Sequence, residues 1–176
     1  DVPLKGLDYT LIALKKLKAM YPKIHLIIIG TIKKNGHTKR LIDNLGIEQN
    51  ITFRSNISKA EIIELYSTSS VAIVSSLYEG FGYPVIEAMS CEVPLIATNT
   101  ASIPELTGKY ACLVKPKNDE AIFKSIIKIL SDYDKYKEIA IKGRQHVINK
   151  FNWAKITKEY ENIIYETIKE FKDADI

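Results

Sequence analysis

The sequence predicts an α/β domain with a Rossmann-like, doubly wound parallel sheet and helices on both faces. Two observations lead to this prediction. Short apolar segments alternate with longer amphipathic segments along the chain, and the connections between them are short. The short segments are continuously apolar, which is typical of strands covered on both faces of a parallel sheet. A length of 176 residues corresponds to one domain, so we interpret residues 1–176 as a single domain.

The first half of the chain is predicted to contain three helices and three strands. Gly46 provides a stop signal for the second helix, and Ser58 followed by Glu61 is the pattern of a capping box that begins the third. The apolar run that ends at Gly30 is predicted as a strand buried on both faces, with a structural role for His25 within it. The predicted elements are helices over 7–20, 37–45 and 59–66 and strands over 24–29, 51–53 and 71–74.

The second half continues the same alternation. Pro84 suits the first position of a helix, because its fixed φ matches the helix and its missing N–H is not needed there. That helix is predicted to run to about residue 91. The remaining predicted elements are strands over 95–97 and 111–114 and helices over 118–131, 133–149 and 153–172.

The composition restricts the class of protein. A hydrophobic content of 46% supports a packed core and argues against disorder. The net charge of +4 is spread over scattered lysines and falls short of a nucleic-acid footprint, so no nucleic-acid partner is expected. No apolar run approaches the roughly 18 residues of a membrane span. Cys91 and Cys112 have no metal-type spacing to histidine. We therefore expect a cytoplasmic protein with reduced thiols and no bound metal.

The loop after the third strand carries the residues expected to bind a ligand. In open parallel sheets, ligands bind at the carboxyl ends of the strands, where the following loops converge. Residues 75–83 contain two glycines around an aromatic residue, directly before the helix that Pro84 begins. Glycines permit close approach to the backbone, and N–H groups at a helix start carry partial positive charge. This arrangement suits a diphosphate or sugar hydroxyls. Glu87, predicted in the first turn of that helix, is placed to accept hydrogen bonds from a ribose diol.

The same segment resembles a known family. EGFGYPVIEAMSC at 79–91 resembles the EGFGxPxxEAMAxG block of GT4-type retaining glycosyltransferases, the group 1 glycosyl transferases with a GT-B fold. The resemblance continues in register over essentially the whole chain. The other matching segments are KGLD at 5–8, FRSNI at 53–57, PLIAT at 94–98, IPE at 103–105 and LVKP at 113–116. The resemblance implies that the chain is the C-terminal, donor-binding domain of such an enzyme.

The resemblance also implies roles for individual residues. Glu79 would be the catalytic-site glutamate that holds the donor sugar near the reacting carbon, and Glu87 would bind the nucleotide ribose. The loop at Asn56 and Ile57 would lie against the base through backbone contacts. Lys5 matches the lysine of a family arginine–lysine pair that neutralises the diphosphate, and the arginine would precede Asp1. The residues expected to contact the donor sugar and its phosphates are Lys5, Thr31, Gly80, Phe81, Gly82 and Tyr83.

The implied substrate is a UDP-, GDP- or ADP-linked sugar, and the implied reaction is retaining transfer of its hexosyl group to a glycan or lipid-linked acceptor. No metal or other cofactor is implied. The acceptor would bind an N-terminal domain outside this chain, and the final helix over 153–172 would pack toward that domain. We therefore expect this chain alone to bind nucleotide sugar without transferring the sugar. At the family level, the full enzyme would serve polysaccharide biosynthesis in the cytoplasm, with peripheral association at the inner face of the membrane as a further expectation.

Other interpretations remain open. One is a nucleotide-binding module without a catalytic role, and another is a GT-B-type nucleotide-sugar epimerase. Glu92, Ala101 and Ser102 stand where the family has glycine, which supports the module. If the chain binds a donor, restoring glycine at these three positions should tighten nucleotide binding; in a module it should do little. A glycoside-hydrolase pair formed by Glu79 and Glu87 is disfavoured, because a glycine loop at a helix start points to phosphate binding.

A second cationic segment lies at 33–40. We interpret it mainly as a solvated surface loop. Within it, Lys39 and Arg40 are the best candidates for contact with an anion, because the helix there is expected to point toward the carboxyl edge of the sheet.

Overall fold

The computed structural model describes the backbone of residues 2–174 and the side chains of residues 2–172. Parallel strands alternate with helices throughout this part of the chain. The helices are α1 (Leu7–Met20), α2 (His37–Leu45), α3 (Lys59–Thr68), α4 (Tyr83–Ser90), α5 (Ile103–Thr107), α6 (Asp119–Ser131), α7 (Tyr133–Lys150) and α8 (Trp153–Ala174). The strands are β1 (Leu26–Ile29), β2 (Ile51–Arg54), β3 (Ala72–Val74), β4 (Leu95–Thr98) and β5 (Cys112–Val114). Short 3-10 turns at Pro3–Lys5 and Glu48–Asn50 precede α1 and β2.

The hydrogen-bonded strands form two parallel groups. β1 pairs with β2, and β4 lies between β3 and β5. Each strand is only three or four residues long. Ile24, just before β1, packs against the apolar cluster beneath α1 and α2 and also against the cluster that contains β4. The two groups are therefore joined by a shared core.

Helices cover both faces of the central strands, as the predicted fold class requires. Ile96 of β4 packs in a cluster with α1 and α6. Its neighbours Leu95 and Ala97 pack in a separate cluster with α4, α5 and α7. Successive side chains of a strand point to opposite faces, so this division places the two helix layers on opposite sides of β4. All four side chains of β4 are buried.

The local signals that end and begin helices act as predicted. Gly46 follows α2 with a left-handed φ of 64°, and its N–H donates to the carbonyls of Ile42 and Asp43. At the start of α3, the Ser58 N–H donates to Glu61 Oε2 at 2.7 Å, and the Glu61 N–H donates to Ser58 Oγ at 3.3 Å. These reciprocal hydrogen bonds satisfy two N–H groups that the helix leaves free.

The prediction that the first strand is buried on both faces is wrong. Ile27 and Ile29 are 40% and 46% exposed, whereas the alternating residues of β1 are half-buried. The strand begins at Leu26, so His25 precedes it; the histidine is exposed and its Nε2 lies 2.8 Å from Thr52 Oγ1. Successive side chains of a strand point to opposite faces, so Ile27 and Ile29 share one face of β1, and that face is only partly covered.

The final helix differs in its packing from the others. Its predicted start at Trp153 agrees with the structure, and it continues to Ala174. From Trp153 to Lys172, no described side chain is buried, and large apolar side chains along the helix are exposed to solvent. The exposed apolar residues are Trp153, Tyr160, Ile163, Ile164, Tyr165, Ile168 and Phe171. Within the described residues, no helix is both long and apolar enough to cross a membrane.

Candidate functional site

The glycine loop lies between β3 and α4, at the carboxyl edge of the central strands. We define the glycine loop as residues 79–83. Gly82, just before α4, has φ of 96°, a left-handed conformation that glycine adopts without strain. A Cβ at this position would lie 3.0 Å from Leu106 Cδ1, so the position also lacks space for a side chain. Pro84 occupies the first turn of α4, as predicted.

Within the part of the chain that the structure describes, the backbone N–H groups of the glycine loop have no hydrogen-bond acceptor. Among the described residues, no hydrogen bond is donated by the N–H groups of Gly80, Phe81, Gly82 or Tyr83. Gly80, Phe81 and Tyr83 are exposed. Free N–H groups at a helix start, where the helix dipole is positive, form a site that favours phosphate or other anionic groups.

Two carbonyl groups of the same loop, in contrast, accept a side-chain hydrogen bond. Ser102 Oγ lies 3.0 Å from the carbonyl oxygen of Glu79 and 2.8 Å from that of Phe81, and the two carbonyls share its one hydroxyl proton. Thr100 Oγ1 donates to the Leu77 carbonyl at 3.2 Å. These hydroxyls come from the segment that follows β4. The sequence interpretation did not assign them a role, although the polar residues at alternate positions after a buried strand are a visible signal.

Glu79 is the charged centre of the loop. Its Oε1 accepts hydrogen bonds from Lys5 Nζ at 2.6 Å and from Ser76 Oγ at 2.7 Å. The Glu79 side chain is only 12% exposed, whereas Lys5 is 54% exposed. Burial alone favours the neutral acid, but the two hydrogen bonds and the charge of Lys5 outweigh it, so the pKa of Glu79 lies below its ordinary value. Glu79 is therefore a carboxylate at neutral pH.

The approach of Lys5 to Glu79 depends on Gly6. The turn Pro3–Lys5 is fixed to the β3 loop by the Leu77 N–H, which donates to the Leu4 carbonyl at 2.7 Å, and by Ser75 Oγ, which donates to the Lys5 carbonyl at 3.0 Å. Gly6 has φ of 60°, and a Cβ there would lie 2.1 Å from the Ser75 carbonyl oxygen. Only glycine permits this close contact.

Glu87 lies further along α4 than predicted. The helix begins at Tyr83 and has no acidic residue in its first turn, so Glu87 belongs to the second turn. Its side chain is exposed and forms no hydrogen bond or ion pair with any described residue. It lies close enough to α3 to affect Tyr66, whose pKa is raised to about 12 by burial and then by the charge of Glu87.

The other predicted ligand contacts lie in separate loops. Thr31 is exposed in the loop after β1, and Asn56, with a left-handed φ of 54°, follows β2 beside the half-buried Ile57. Each of these loops follows the carboxyl end of a strand in the β1–β2 pair, whereas the glycine loop follows β3 of the other strand group. Within the described residues, no hydrogen bond joins any of them to Glu79 or Lys5.

Lys39 is engaged elsewhere on the surface. Its ammonium pairs with Asp43 and, at 2.9 Å, with Glu48. The hydrogen bonds that Lys39 donates to these two carboxylates raise the pKa of Lys39. The sequence identified Lys39 as a candidate for contact with an anion; the structure shows a lysine whose charge is already neutralised by two neighbours.

Glu92, Ala101 and Ser102, which stand where the family has glycine, differ in backbone conformation. Glu92 and Ala101 have φ of 55° and 46°, so each holds a side chain in a left-handed conformation that disfavours one. Ser102 has φ of −72°, which any residue adopts. Among the described residues, no cluster of three or more His, Cys, Asp or Glu side chains is placed to hold a metal ion.

Comparison with known proteins gives the family. The family model for glycosyl transferases group 1 matches residues 2–146. The chain is 30% identical over 162 residues to an MMP alpha-(1->4)-mannosyltransferase of Mycolicibacterium hassiacum, which covers 90% of this chain and 39% of that protein. The chain thus spans less than half the length of this relative.

Solved structures show the same fold. The C-terminal domain of the glycosyl transferase group 1 family protein LpcC from Francisella tularensis is 27% identical, with a TM-score of 0.75, covering 87% of this chain and 83% of that domain. Anabaena Alr3699/HepE, solved with UDP-glucose, is 22% identical with a TM-score of 0.83, covering 94% of this chain and 46% of that protein. With the family model matching most of its length, this chain belongs to the glycosyl transferases group 1 family.

Proposed function

We propose that this chain is the donor-binding domain of a glycosyltransferase and holds a nucleoside-diphosphate sugar at the glycine loop. The observation that carries the proposal is the set of free N–H groups at Gly80, Phe81 and Tyr83, located at the start of α4 beside the Lys5–Glu79 pair. Donors of this kind favour anionic phosphate oxygens, and the lysine adds a full positive charge.

The diphosphate would bind between Lys5 and the start of α4. In the unliganded chain, Lys5 pairs with Glu79. A diphosphate carries more negative charge than one carboxylate, so the exposed lysine would turn toward it when the donor binds. As the bond to the sugar breaks, charge develops on the leaving nucleoside diphosphate. The N–H groups and Lys5 would stabilise that charge without a metal ion.

Glu79 would hold the sugar. Its Oε1 accepts from Lys5 and Ser76, and among the described residues Oε2 accepts no hydrogen bond. Because its pKa is lowered, Glu79 is ionised and presents Oε2 as a strong acceptor for sugar hydroxyls. We therefore assign Glu79 to the reacting sugar, at the catalytic position of a retaining hexosyl transfer. Glu87 would accept from the ribose, and the loop at Asn56 and Ile57 would contact the base.

The relatives support this proposal. Alr3699/HepE was solved in complex with UDP-glucose, and one solved structure of TarM contains UDP. Several curated relatives are mannosyltransferases. We propose a UDP-, GDP- or ADP-linked hexose as donor and a glycan or lipid-linked acceptor, bound largely by an N-terminal domain toward which α8 packs. The chain alone would bind donor without transferring sugar, and the whole enzyme would work in the cytoplasm or at the inner face of the membrane.

The test is to titrate the chain with UDP, GDP, ADP and their common hexose conjugates and to measure binding by ligand-observed NMR or calorimetry. We expect one nucleotide sugar to bind, Glu79→Gln to weaken the nucleotide sugar more than the free nucleotide, and Glu87→Ala to weaken both. Glu159→Gln on α8 is the matched control, because it changes an exposed carboxylate away from the loop. Absence of binding by every nucleotide, or equal effects of Glu79→Gln and the control, would contradict the proposal.

A further inference from the structure

We propose that Ser102, assisted by Thr98 and Thr100, is a positioning residue that orients the free N–H groups of the glycine loop toward the ligand. We call these three side chains the hydroxyl clamp. The proposal rests on the proposed function, because it assigns the clamp a role in donor binding. It also reverses the expectation that a serine at this family glycine position hinders the donor.

The hydroxyl clamp begins where the backbone pairing of β3 with β4 ends. The backbone pairing of β3 and β4 runs from Ala72 with Leu95 to Val74 with Ala97 and then stops. Beyond this point, alternate side chains at the end of β4 and in the segment after it donate hydrogen bonds to carbonyl groups of the segment that follows β3. Thr98 donates to the Ser76 carbonyl, Thr100 to Leu77 at 3.2 Å, and Ser102 to Glu79 and Phe81 at 3.0 and 2.8 Å.

Because the peptide group is planar, a hydrogen bond that holds a carbonyl also fixes the direction of the following N–H. In a trans peptide, the carbonyl of one residue and the N–H of the next point in opposite directions. When Ser102 holds the carbonyls of Glu79 and Phe81, the N–H groups of Gly80 and Gly82 must point away from Ser102. Those N–H groups have no partner among the described residues. The one proton of the Ser102 hydroxyl, shared between these two carbonyls, thus restrains two peptide planes in the segment proposed to bind the donor.

Orientation matters here because the loop contains two glycines. Glycine has access to more of φ/ψ space than other residues, so an unrestrained loop samples many N–H directions. Ordering these peptides on binding would cost conformational entropy, which reduces affinity. A clamp that orders them beforehand removes that cost. Ser102 itself has an ordinary φ of −72°, so its side chain introduces no backbone strain.

The clamp acts on the part of the site that meets sugar and phosphate, and not on the part that meets the ribose and base. Glu87 lies in the second turn of α4, and Asn56 lies after β2. No hydrogen bond within the described residues connects either of them to Ser102. Loss of the clamp should therefore affect ligands that reach the glycine loop and spare those that do not.

The experiment measures the affinity of the chain for UDP-glucose and for GDP-mannose, with UMP and GMP as the comparison ligands. The same measurements are made on Ser102→Ala, Ser102→Gly and Ser102→Thr. For the nucleotide sugar that binds, we expect Ser102→Ala and Ser102→Gly to weaken affinity about five- to tenfold, the effect of losing one hydrogen bond. The monophosphate should change less than about twofold, which is within ordinary surface-mutation effects. Ser102→Thr keeps the hydroxyl and should restore most of the affinity. Ser131→Ala is the matched control, because Ser131 Oγ also donates to a backbone carbonyl, that of Lys128, at the distant end of α6.

Equal losses for the nucleotide sugar and the monophosphate, or an increase in affinity on Ser102→Gly, would overturn the proposal. A second measurement does not depend on a ligand. In backbone ¹⁵N relaxation, Ser102→Ala should lower the order parameters of Gly80 and Gly82 from rigid values of about 0.85 toward about 0.6. If the unmodified chain binds no nucleotide sugar, the proposed function fails, and the relaxation result decides the clamp separately. Unchanged order parameters would refute it.

Discussion

Lys5→Met tests the electrostatic basis of the proposed site, because it removes the ammonium and keeps the length of the side chain. Two unit charges about 4 Å apart interact by about 4 kcal/mol at the effective dielectric of a protein surface. Lys5 is 54% exposed, and in the free chain it already gains from Glu79 at 2.6 Å. The net contribution to diphosphate binding is therefore smaller, about 1–2 kcal/mol, which corresponds to roughly a 5- to 30-fold loss of affinity.

The assay is isothermal titration of a nucleoside diphosphate and the matching nucleoside at low and high salt. We expect Lys5→Met to weaken only the diphosphate and to reduce the salt dependence of its binding, because salt screens the lost interaction. Lys39→Met is the matched control, since Lys39 is already neutralised by Asp43 and Glu48. Equal affinities of Lys5→Met and the unmodified chain for the diphosphate would refute the reasoning, as would a comparable loss in Lys39→Met.

Three further predictions concern the same loops. Ala101→Gly should raise the free energy of unfolding by about 0.5–1 kcal/mol, because it relieves the left-handed φ of 46°; a lower midpoint in urea would contradict this. Gly6→Ala should cost more than about 2 kcal/mol and also weaken diphosphate binding, because its Cβ would lie 2.1 Å from the Ser75 carbonyl oxygen and displace Lys5. The pKa of Glu79 should lie below its ordinary value and rise in Lys5→Met, as followed by carboxyl ¹³C NMR. Because the folded-state pKa is lowered, the stability that Glu79 contributes is present above the ordinary value of 4.5 and is lost as pH falls below it, through the folded-state pKa. A Glu79 that titrates at or above the ordinary value would show that Lys5 and Ser76 do not hold it ionised.

The three residues that stand where the family has glycine look alike in the sequence but differ in backbone conformation and contacts in the structure. The resemblance grouped Glu92, Ala101 and Ser102 as departures that should weaken donor binding. Glu92 and Ala101 do occupy left-handed conformations, so glycine there should relieve strain. Ser102 instead has an ordinary backbone and donates to two loop carbonyls. Restoring glycine at Ser102 should therefore weaken donor binding, whereas restoring it at Ala101 should stabilise the chain.

The sequence by itself determined the fold class, the family and most of the elements, although the short helix α5 was not predicted. Helix periodicity, the capping box at Ser58 and Glu61, and the stop at Gly46 all act over about four residues, so their effects are visible in a short window. The block at 79–91 was sufficient to identify the family, and the family model agrees. The prediction that the loop after β3 binds a ligand rests on the same local pattern.

Only the tertiary structure decided which groups meet and which faces are covered. Lys5 reaches Glu79 across 74 positions of sequence, and Ser102 reaches Glu79 and Phe81 across more than 20. Ile27 and Ile29 belong to a continuously apolar run, yet they are exposed because they share the face of β1 that the fold covers only partly. A residue's own sequence neighbourhood fixes its backbone preference, whereas its burial and its partners depend on how separate elements dock. The chemistry of the glycine loop, including the direction of its N–H groups and the ionisation of Glu79, is set by that docking.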